Sequence, residues 1–148
     1  MHEIRTRRRI EFADTDMAGI VHFARFFVFM ETAEHEFLAA LGAPVQRAEG
    51  GASFGWPRVA ASCDYLAPAR FGDVLDIHLK VARKGRSSLT YAFEISREGQ
   101  PVAVGRVTAA CCRLDDPQGL KAVPIPDALA ERIEEANIHP LDARAGKT

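Results

Sequence analysis

The sequence predicts an α+β fold in which an antiparallel β-sheet wraps around one long central helix, and three observations predict it. The chain opens on a short run of period two. One long apolar-striped stretch of helical period follows. The period then returns to two in four successive runs joined by short links.

In the first run, Ile4, Thr6, Ile10 and Phe12 alternate with Glu3, Arg5, Arg7, Arg9 and Glu11. Arg8 intrudes on the apolar side, and a half-buried strand over Glu3 to Phe12 is the reading. "ADTDMAG" then supplies turn residues. A helix is predicted from about His22 to Leu41, because Phe23, Phe26, Phe27, Met30, Phe37, Leu38 and Leu41 recur at spacings of three and four. Gly42, with Pro44 two residues on, is its stop signal. Residues 45 to 57, with Gly50, Gly51, Gly55 and Pro57, read as a loop or a short helical piece.

Period two then resumes. Val59, Ala61, Cys63 and Tyr65 form one apolar row, Leu75, Ile77, Leu79 and Val81 a second, and Leu89, Tyr91, Phe93 and Ile95 a third. Pro101 to Leu114 is small and β-rich on both faces, as a central strand requires. "RKGRS" and "REGQ" suit hairpins. "DDPQGLKAVPIP" is a loop, Asp127 to Ala136 a short terminal helix, and the tail from about residue 138 is frayed. The expectation is one domain over residues 1–148. A sheet on one helix leaves an open edge and an apolar flank, which a two-fold partner satisfies, so a homodimer is expected at least.

Composition narrows the function classes. A net charge of −1 argues against a broad nucleic-acid footprint. No apolar run reaches the roughly 18 residues of a membrane span, and "MHEIRTRRRIEF" lacks the apolar core of a secretory signal. Cys63, Cys111 and Cys112 are odd in number, with no CxxC spacing. They read as reduced thiols of a cytoplasmic protein with no metal site.

Chemistry concentrates at "DTD". Asp16 stands beside the start of an aromatic-rich helix, where free amides and the helix dipole favour negative charge. Such amides stabilise a developing oxyanion, and the carboxylate acts as base or nucleophile. Spacing alone equally admits a cap and turn.

"FADTDMAGIVHFARFFVFMETAE" resembles the signature of the hotdog-fold acyl-CoA thioesterases of the 4-hydroxybenzoyl-CoA thioesterase class, and is similar to the Tol-Pal-associated acyl-CoA thioesterases. "CDYLAPARFGDVLDIHLKV" and "RKGRSSLTYAFEI" extend the resemblance over most of residues 8 to 115. The resemblance implies Asp16 as catalytic carboxylate, nucleophile or general base, and the backbone amide of Phe23 as the group that polarises the thioester oxygen. Asp14 would hold the turn. Arg83, Lys84, Arg86 and Ser87 would contact the phosphates of coenzyme A, for which cationic side chains are suited; a solvated hairpin is the alternative. The active site would lie between two subunits of a homodimer that assembles to a homotetramer.

His22, a further catalytic candidate as an acid, stands one position before the histidine of many Tol-Pal-associated relatives, so a helix cap or a substrate contact is open for it as well. Arg25, where relatives carry a small polar residue, would alter the pocket or the CoA contacts. A related hotdog branch uses a glutamate on the central helix, but Glu31 reads as structural or pocket-lining. Glu34, His35 and Glu36 read as a polar helix face, and His2, His78 and His139 as surface residues. Trp56, Phe54 and Phe26 would line an acyl pocket or belong to the core.

The function implied is hydrolysis of a short-chain or aromatic acyl-CoA to free acid and CoA, with no cofactor, CoA being part of the substrate. The alternatives are a hotdog hydratase or dehydratase, whose HxxPxxP and DxNPxH motifs are not found in the sequence, and a non-catalytic acyl-CoA-binding dimer.

Overall fold

The computed structural model describes residues 1–43, 47–49 and 52–138. Strand β1 (Glu3–Arg9) leads through a 3-10 turn (Phe12–Asp14) to helix α1 (Arg25–Ala40). Then come β2 (Arg47–Glu49), β3 (Ala52–Gly55), β4 (Arg58–Tyr65), β5 (Val74–Lys84), β6 (Ser88–Arg97) and β7 (Gln100–Ala110). The short pieces β8 (Cys112–Arg113), β9 (Lys121–Ala122) and α2 (Asp127–Ala130) finish the described chain. Five strands form one antiparallel sheet in the order β1-β5-β6-β7-β4, and β2-β3-β8-β9 form a second, small one. This is the α+β arrangement expected.

Helix α1 buries Phe26, Phe29, Met30, Ala33, Phe37 and Leu38 against the main sheet. Their spacing of three and four places them on one stripe, opposite the inward rows Leu75, Ile77, Leu79 and Leu89, Tyr91, Phe93. At Gly105 of β7 an added Cβ would come within 2.1 Å of Met30 Cε, so a residue without a side chain is what lets helix and sheet close. Gly42 ends the helix at φ +74°, and the Ala43 amide reaches back to the Leu38 carbonyl at 2.9 Å. That is the left-handed C-terminal closure that glycine permits.

Several boundaries differ from expectation. Strand β1 stops at Arg9, and Phe12 is 79 % exposed, edge-on to Phe71 in the β4–β5 connection with ring centres 6.2 Å apart. Arg8, the intruder on the apolar side, lies over the Phe29 ring at 5.0 Å, so its stem is tolerated at a half-buried position. The helix starts three residues later than expected because Val21 and His22 are engaged elsewhere: the Val21 amide donates to the Ala69 carbonyl and the His22 amide to the Asp14 carbonyl, both at 2.8 Å. The stretch read as a loop before Pro57 contains β2 and β3. Strand β5 runs on to Lys84, and β7 ends at Ala110.

The terminal helix is only four residues long. Beyond it the backbone is taken by the rest of the protein: Glu134 donates to the Met1 carbonyl and Ala136 to that of Val81. Lys84 Nζ donates to the carbonyls of Ala130 and Ile133 at 3.0 and 2.9 Å. Tertiary partners here outcompete intrahelical ones. The expected tail and His139 lie outside the described residues. No helix among those described is long and apolar enough to cross a membrane.

Strand β4 is an edge of the main sheet, and Val59, Ala60, Ala61, Asp64 and Tyr65 are exposed along it. It offers an unpaired backbone edge eight residues long.

Candidate active site

The two aspartates of "DTD" occupy different environments. Asp14 is 1 % exposed. Its Oδ2 accepts the Glu11 amide at 2.8 Å, and its Oδ1 faces Arg25 Nε at 3.3 Å and Arg8 Nη2 at 3.6 Å. Both arginines thus tie the turn to the strand before it and the helix after it. Arg25, expected to alter a pocket, is held on Asp14 and on the Ala13 carbonyl instead.

Asp16 is half-buried. Its Oδ1 accepts the Ala18 amide at 2.8 Å, and its own amide donates to the Ile20 carbonyl at 2.9 Å. This is an aspartate turn that presents the carboxylate on its outer side. No ion pair joins Asp16 among the described residues. The carboxylate opens on a cleft of about 480 Å³ walled by Ile20, Phe23, Phe26, Tyr65 and Ala69. The walls are largely apolar, which suits a thioester better than a charged ligand.

Phe23, 63 % exposed, lines the same cleft. Its amide donates to nothing among the described residues and lies two positions before the first residue of α1, at the positive end of the helix. The Phe23 carbonyl accepts the Tyr65 hydroxyl at 2.8 Å. Burial, and then Cys63 next to it, push Tyr65 up to about 12, so it stays a neutral donor. Sequence reasoning did not single out Tyr65 for this role. Its only local signal was an aromatic closing a period-two run just before "LAPA". His22 accepts the Ala24 amide on Nδ1 at 3.2 Å and stacks on the Phe23 ring, with centres 4.6 Å apart. These two contacts hold its ring at the start of the helix.

The hairpin residues expected to hold coenzyme A lie elsewhere in the same chain. Asp16 sits at the Val74 end of β5, where Ala69 and Asp73 are, whereas Arg83, Lys84, Arg86 and Ser87 sit at its other end. Ten strand steps of roughly 3.3 Å separate the two ends by about 33 Å. Lys84 is occupied by the C-terminal segment, which also places Glu135 Oε1 on its amide at 2.9 Å. Arg83 and Arg86 are exposed and make no ion pair among the described residues. Within one subunit, therefore, Asp16 and the basic hairpin do not meet.

A second polar group lies farther along α1. Glu34, expected on a polar helix face, is 1 % exposed, because Arg58 of β4 reaches it at 2.6 Å. Arg58 also lies 3.7 Å from Glu31, whose side chain is half exposed. Burial raises Glu34 from 4.5 to about 7, against the opposing pull of Arg58. Among the described residues its Oε1 has no hydrogen-bond partner, and neither has the buried Tyr91 hydroxyl. His78, expected at the surface, is buried between Glu3 and Glu94, which the strand register sets beside it. Trp56 belongs to the core, Phe54 packs against it, and Phe26 both joins the core and walls the Asp16 cleft.

The chain is similar in sequence and fold to thioesterases. The model of the thioesterase-like superfamily matches residues 10–133. A 1,4-dihydroxy-2-naphthoyl-CoA hydrolase of Synechococcus elongatus is 30 % identical over 136 residues, covering 90 % of this chain and 97 % of its own. Among solved structures, a 1,4-dihydroxy-2-naphthoyl-CoA thioesterase of Synechocystis superposes with a TM-score of 0.76 at 29 % identity, over 85 % of this chain and 91 % of that one. The 4-hydroxybenzoyl CoA thioesterase of Pseudomonas sp. strain CBS-3 superposes at 0.79 with 26 % identity, over 88 % and 99 %. With the matched segment spanning four of the five strands of the main sheet, the central helix and the Asp16 turn, the chain belongs to the thioesterase-like superfamily and is a hotdog-fold acyl-CoA thioesterase.

Proposed function

We propose that this enzyme hydrolyses the thioester of an aromatic acyl-CoA, with Asp16 as its catalytic carboxylate and the Phe23 amide as oxyanion donor. The observation that carries the proposal is that Asp16 and the Phe23 amide at the start of α1, the one without an ion pair and the other unengaged among the described residues, line one apolar cleft. The aromatic acyl groups in the names of the three relatives support the substrate class. As base, Asp16 takes a proton from water, the hydroxide adds to the thioester carbon, and the carbonyl oxygen gathers charge facing the Phe23 amide. The C–S bond then breaks, and the thiolate of CoA leaves with the proton returned from Asp16. As nucleophile, an Asp16 oxygen adds to the thioester carbon, the C–S bond breaks as the thiolate of CoA leaves, and water opens the resulting anhydride at the Asp16 carboxyl carbon, releasing the acid. Neither route draws on a metal or organic cofactor.

The functional unit we propose is a homodimer joined at β4. Antiparallel pairing of two β4 edges about a two-fold normal to the sheet sets the Tyr65 end of one strand beside the Arg58 end of its copy. The partner's basic hairpin lies at that same end of the sheet, since Lys84 pairs with Leu89 and Leu89 with Ala109, the neighbour of Arg58. Asp16 and the phosphate-binding side chains then belong to one site built from two chains, with Arg83, Arg86 and Ser87 as CoA contacts. Two such dimers make the proposed tetramer. Free Cys63, Cys111 and Cys112 fit a reducing compartment, and we propose the cytoplasm.

Release of free thiol from benzoyl-CoA, 4-hydroxybenzoyl-CoA and short aliphatic acyl-CoAs tests the activity. Turnover of aryl substrates by the wild type, lost in Asp16→Asn, is the expected result. No thiol release from any aryl-CoA overturns it. A single turnover in heavy-oxygen water separates the two routes, because only the nucleophilic one leaves label on Asp16.

A further inference from the structure

The turn that carries Asp16 bonds mostly to itself. The Asp16 amide goes to the Ile20 carbonyl, the Gly19 amide to that of Asp16, and the Ala18 amide to the Asp16 carboxylate. Among the described residues, the one backbone bond that ties 15–21 to a distant part of the chain runs from the Val21 amide to the Ala69 carbonyl at 2.8 Å. Val21 is bridged in turn to Thr15, so this bond holds both legs of the turn. Ala69 is buried and walls the Asp16 cleft. A displacement of Ala69 is therefore passed to the Asp16 carboxylate.

Ala69 lies in the connection between β4 and β5, and a side chain from outside that connection brackets it. Arg97, the last residue of β6, donates from Nη1 to Asp73 Oδ2 at 2.8 Å and reaches the Pro68 carbonyl at 3.5 Å. The same Asp73 oxygen accepts the Arg70 amide at 2.8 Å, and the Asp73 amide returns to the Arg70 carbonyl at 3.0 Å. The residues on both sides of Ala69 are thus fixed through one guanidinium, Pro68 directly and Arg70 by way of Asp73. The two side chains of the pair are only 32 % and 27 % exposed, so salt screens it less than a surface pair. Asp73 also anchors the end of β1, because its carbonyl accepts the Ile10 amide at 2.8 Å.

We infer that Arg97 is a positioning residue for the reaction: through Asp73 and Pro68 it fixes Ala69, and through the Ala69–Val21 bond it sets where the Asp16 carboxylate stands in the cleft. This rests on the reading of Asp16 as the catalytic carboxylate. A misplacement of about 1 Å caused far from the chemistry costs about a hundredfold in rate, so a partial loosening is expected to cost about tenfold. The loss falls on kcat, because Arg97 acts on the reacting carboxylate and not on the apolar walls that bind substrate.

The test measures thiol release from 4-hydroxybenzoyl-CoA by Arg97→Ala, Arg97→Lys and Asp73→Asn, each alone and combined with Asp16→Asn. Amide hydrogen exchange read by NMR follows Val21 against Leu79 and Phe93 of the sheet. Arg97→Ala is expected to speed Val21 exchange about tenfold or more with Leu79 and Phe93 unchanged, and to lower kcat about tenfold or more with KM within about twofold. Combined with Asp16→Asn it should lower the residual rate by less than about twofold, since a device that acts through Asp16 then has nothing left to position. Arg97→Lys keeps the charge beside Asp73 and should restore kcat to within about threefold of wild type. Unchanged Val21 exchange, a kcat for Arg97→Ala within threefold of wild type, no rescue by lysine, or the full loss repeated in the Asp16→Asn background overturns this inference alone. If Arg97→Ala does not fold, Asp73→Asn is read by the same criteria, because it leaves an acceptor for the Arg70 amide and removes only the ion pair. Full turnover by Asp16→Asn, or no turnover by the wild type, overturns the parent reading instead.

Discussion

Replacing Asp14 by Ala should unfold the turn without removing the chemistry. The carboxylate is 1 % exposed and holds the Glu11 amide at 2.8 Å. A charge-assisted bond of that kind contributes about 1.5–3 kcal/mol. Arg25 at 3.3 Å and Arg8 at 3.6 Å have side chains 39 % and 27 % exposed, so each released guanidinium finds water and adds at most about 1 kcal/mol. The sum is roughly 3 kcal/mol. At about 2–4 °C per kcal/mol for a domain of this size, the Tm falls by about 6–12 °C. Asp14→Asn, which keeps an acceptor but loses the charge, should fall about half as far. Thermal unfolding read by circular dichroism measures the loss, and thioester cleavage well below the new Tm should proceed at a rate within tenfold of wild type. An unchanged Tm with cleavage reduced a hundredfold or more would refute the assignment of Asp14 to the turn and make it a reacting group.

Asp16→Asn should behave in the opposite way, with kcat reduced by about 10²–10⁴-fold and Tm unchanged within about 2 °C; unfolding on that substitution would return Asp16 to a structural role. Tyr65→Phe removes the bond to the Phe23 carbonyl at 2.8 Å, and about 1 kcal/mol of lost orientation should lower kcat roughly fivefold with little change in KM; an unaltered kcat excludes the hydroxyl from positioning the oxyanion donor. Ala60→Lys, on the exposed part of β4, sets like charges near one another across the paired edges and should yield an inactive monomer by light scattering; an active monomer would show that the site is complete in one chain. Glu34 carries a pH signature: because burial raises it from 4.5 to about 7, the folded state holds the extra proton between those values, so the stability this provides is full below pH 4.5 and is lost as pH rises to 7. The wild type should therefore lose up to about 3 kcal/mol relative to Glu34→Gln across that window in urea titrations, and a constant difference would refute the shift.

The strands and the long helix were legible because burial on one face imposes a period, and the period survives in one dimension. Their ends were not, because the competing hydrogen bonds come from residues far away in sequence. The His22 amide goes to Asp14, and the amides after α2 go to Met1 and Val81, which no local pattern announces. The same holds for charge. "EHE" at residues 34–36 reads as a solvated face until Arg58, 24 residues on, reaches Glu34. His78 reads as exposed until the register of β1 and β6 brings Glu3 and Glu94 against it. Lys84 looked like a free cation for phosphate, but the carbonyls of Ala130 and Ile133 claim it. At "DTD", spacing could not rank the two aspartates. What separates them is that Arg8 and Arg25 both find Asp14, leaving Asp16 on the outer side of its own turn.

That separation explains why a single seam between α1 and β4 is enough for this chemistry. Thioester hydrolysis needs a carboxylate whose charge is not already neutralised and an amide not already bonded, and both are unstable features for a core. In the proposed mechanism both lie at the start of α1, where helix geometry leaves amides unengaged, and Asp14 stabilises the neighbourhood instead. The N-terminal turn is thus pinned by one aspartate so that the other stays available. Farther along the helix the reverse holds: Glu34 is buried and charge-paired, with one oxygen unpartnered among the described residues. In the proposed dimer, pairing β4 with its copy would reverse one seam against the other and set the Asp16 end beside the partner's Arg58 end. On that proposal edge pairing and catalysis are one event, and loss of the dimer in Ala60→Lys should abolish turnover with it.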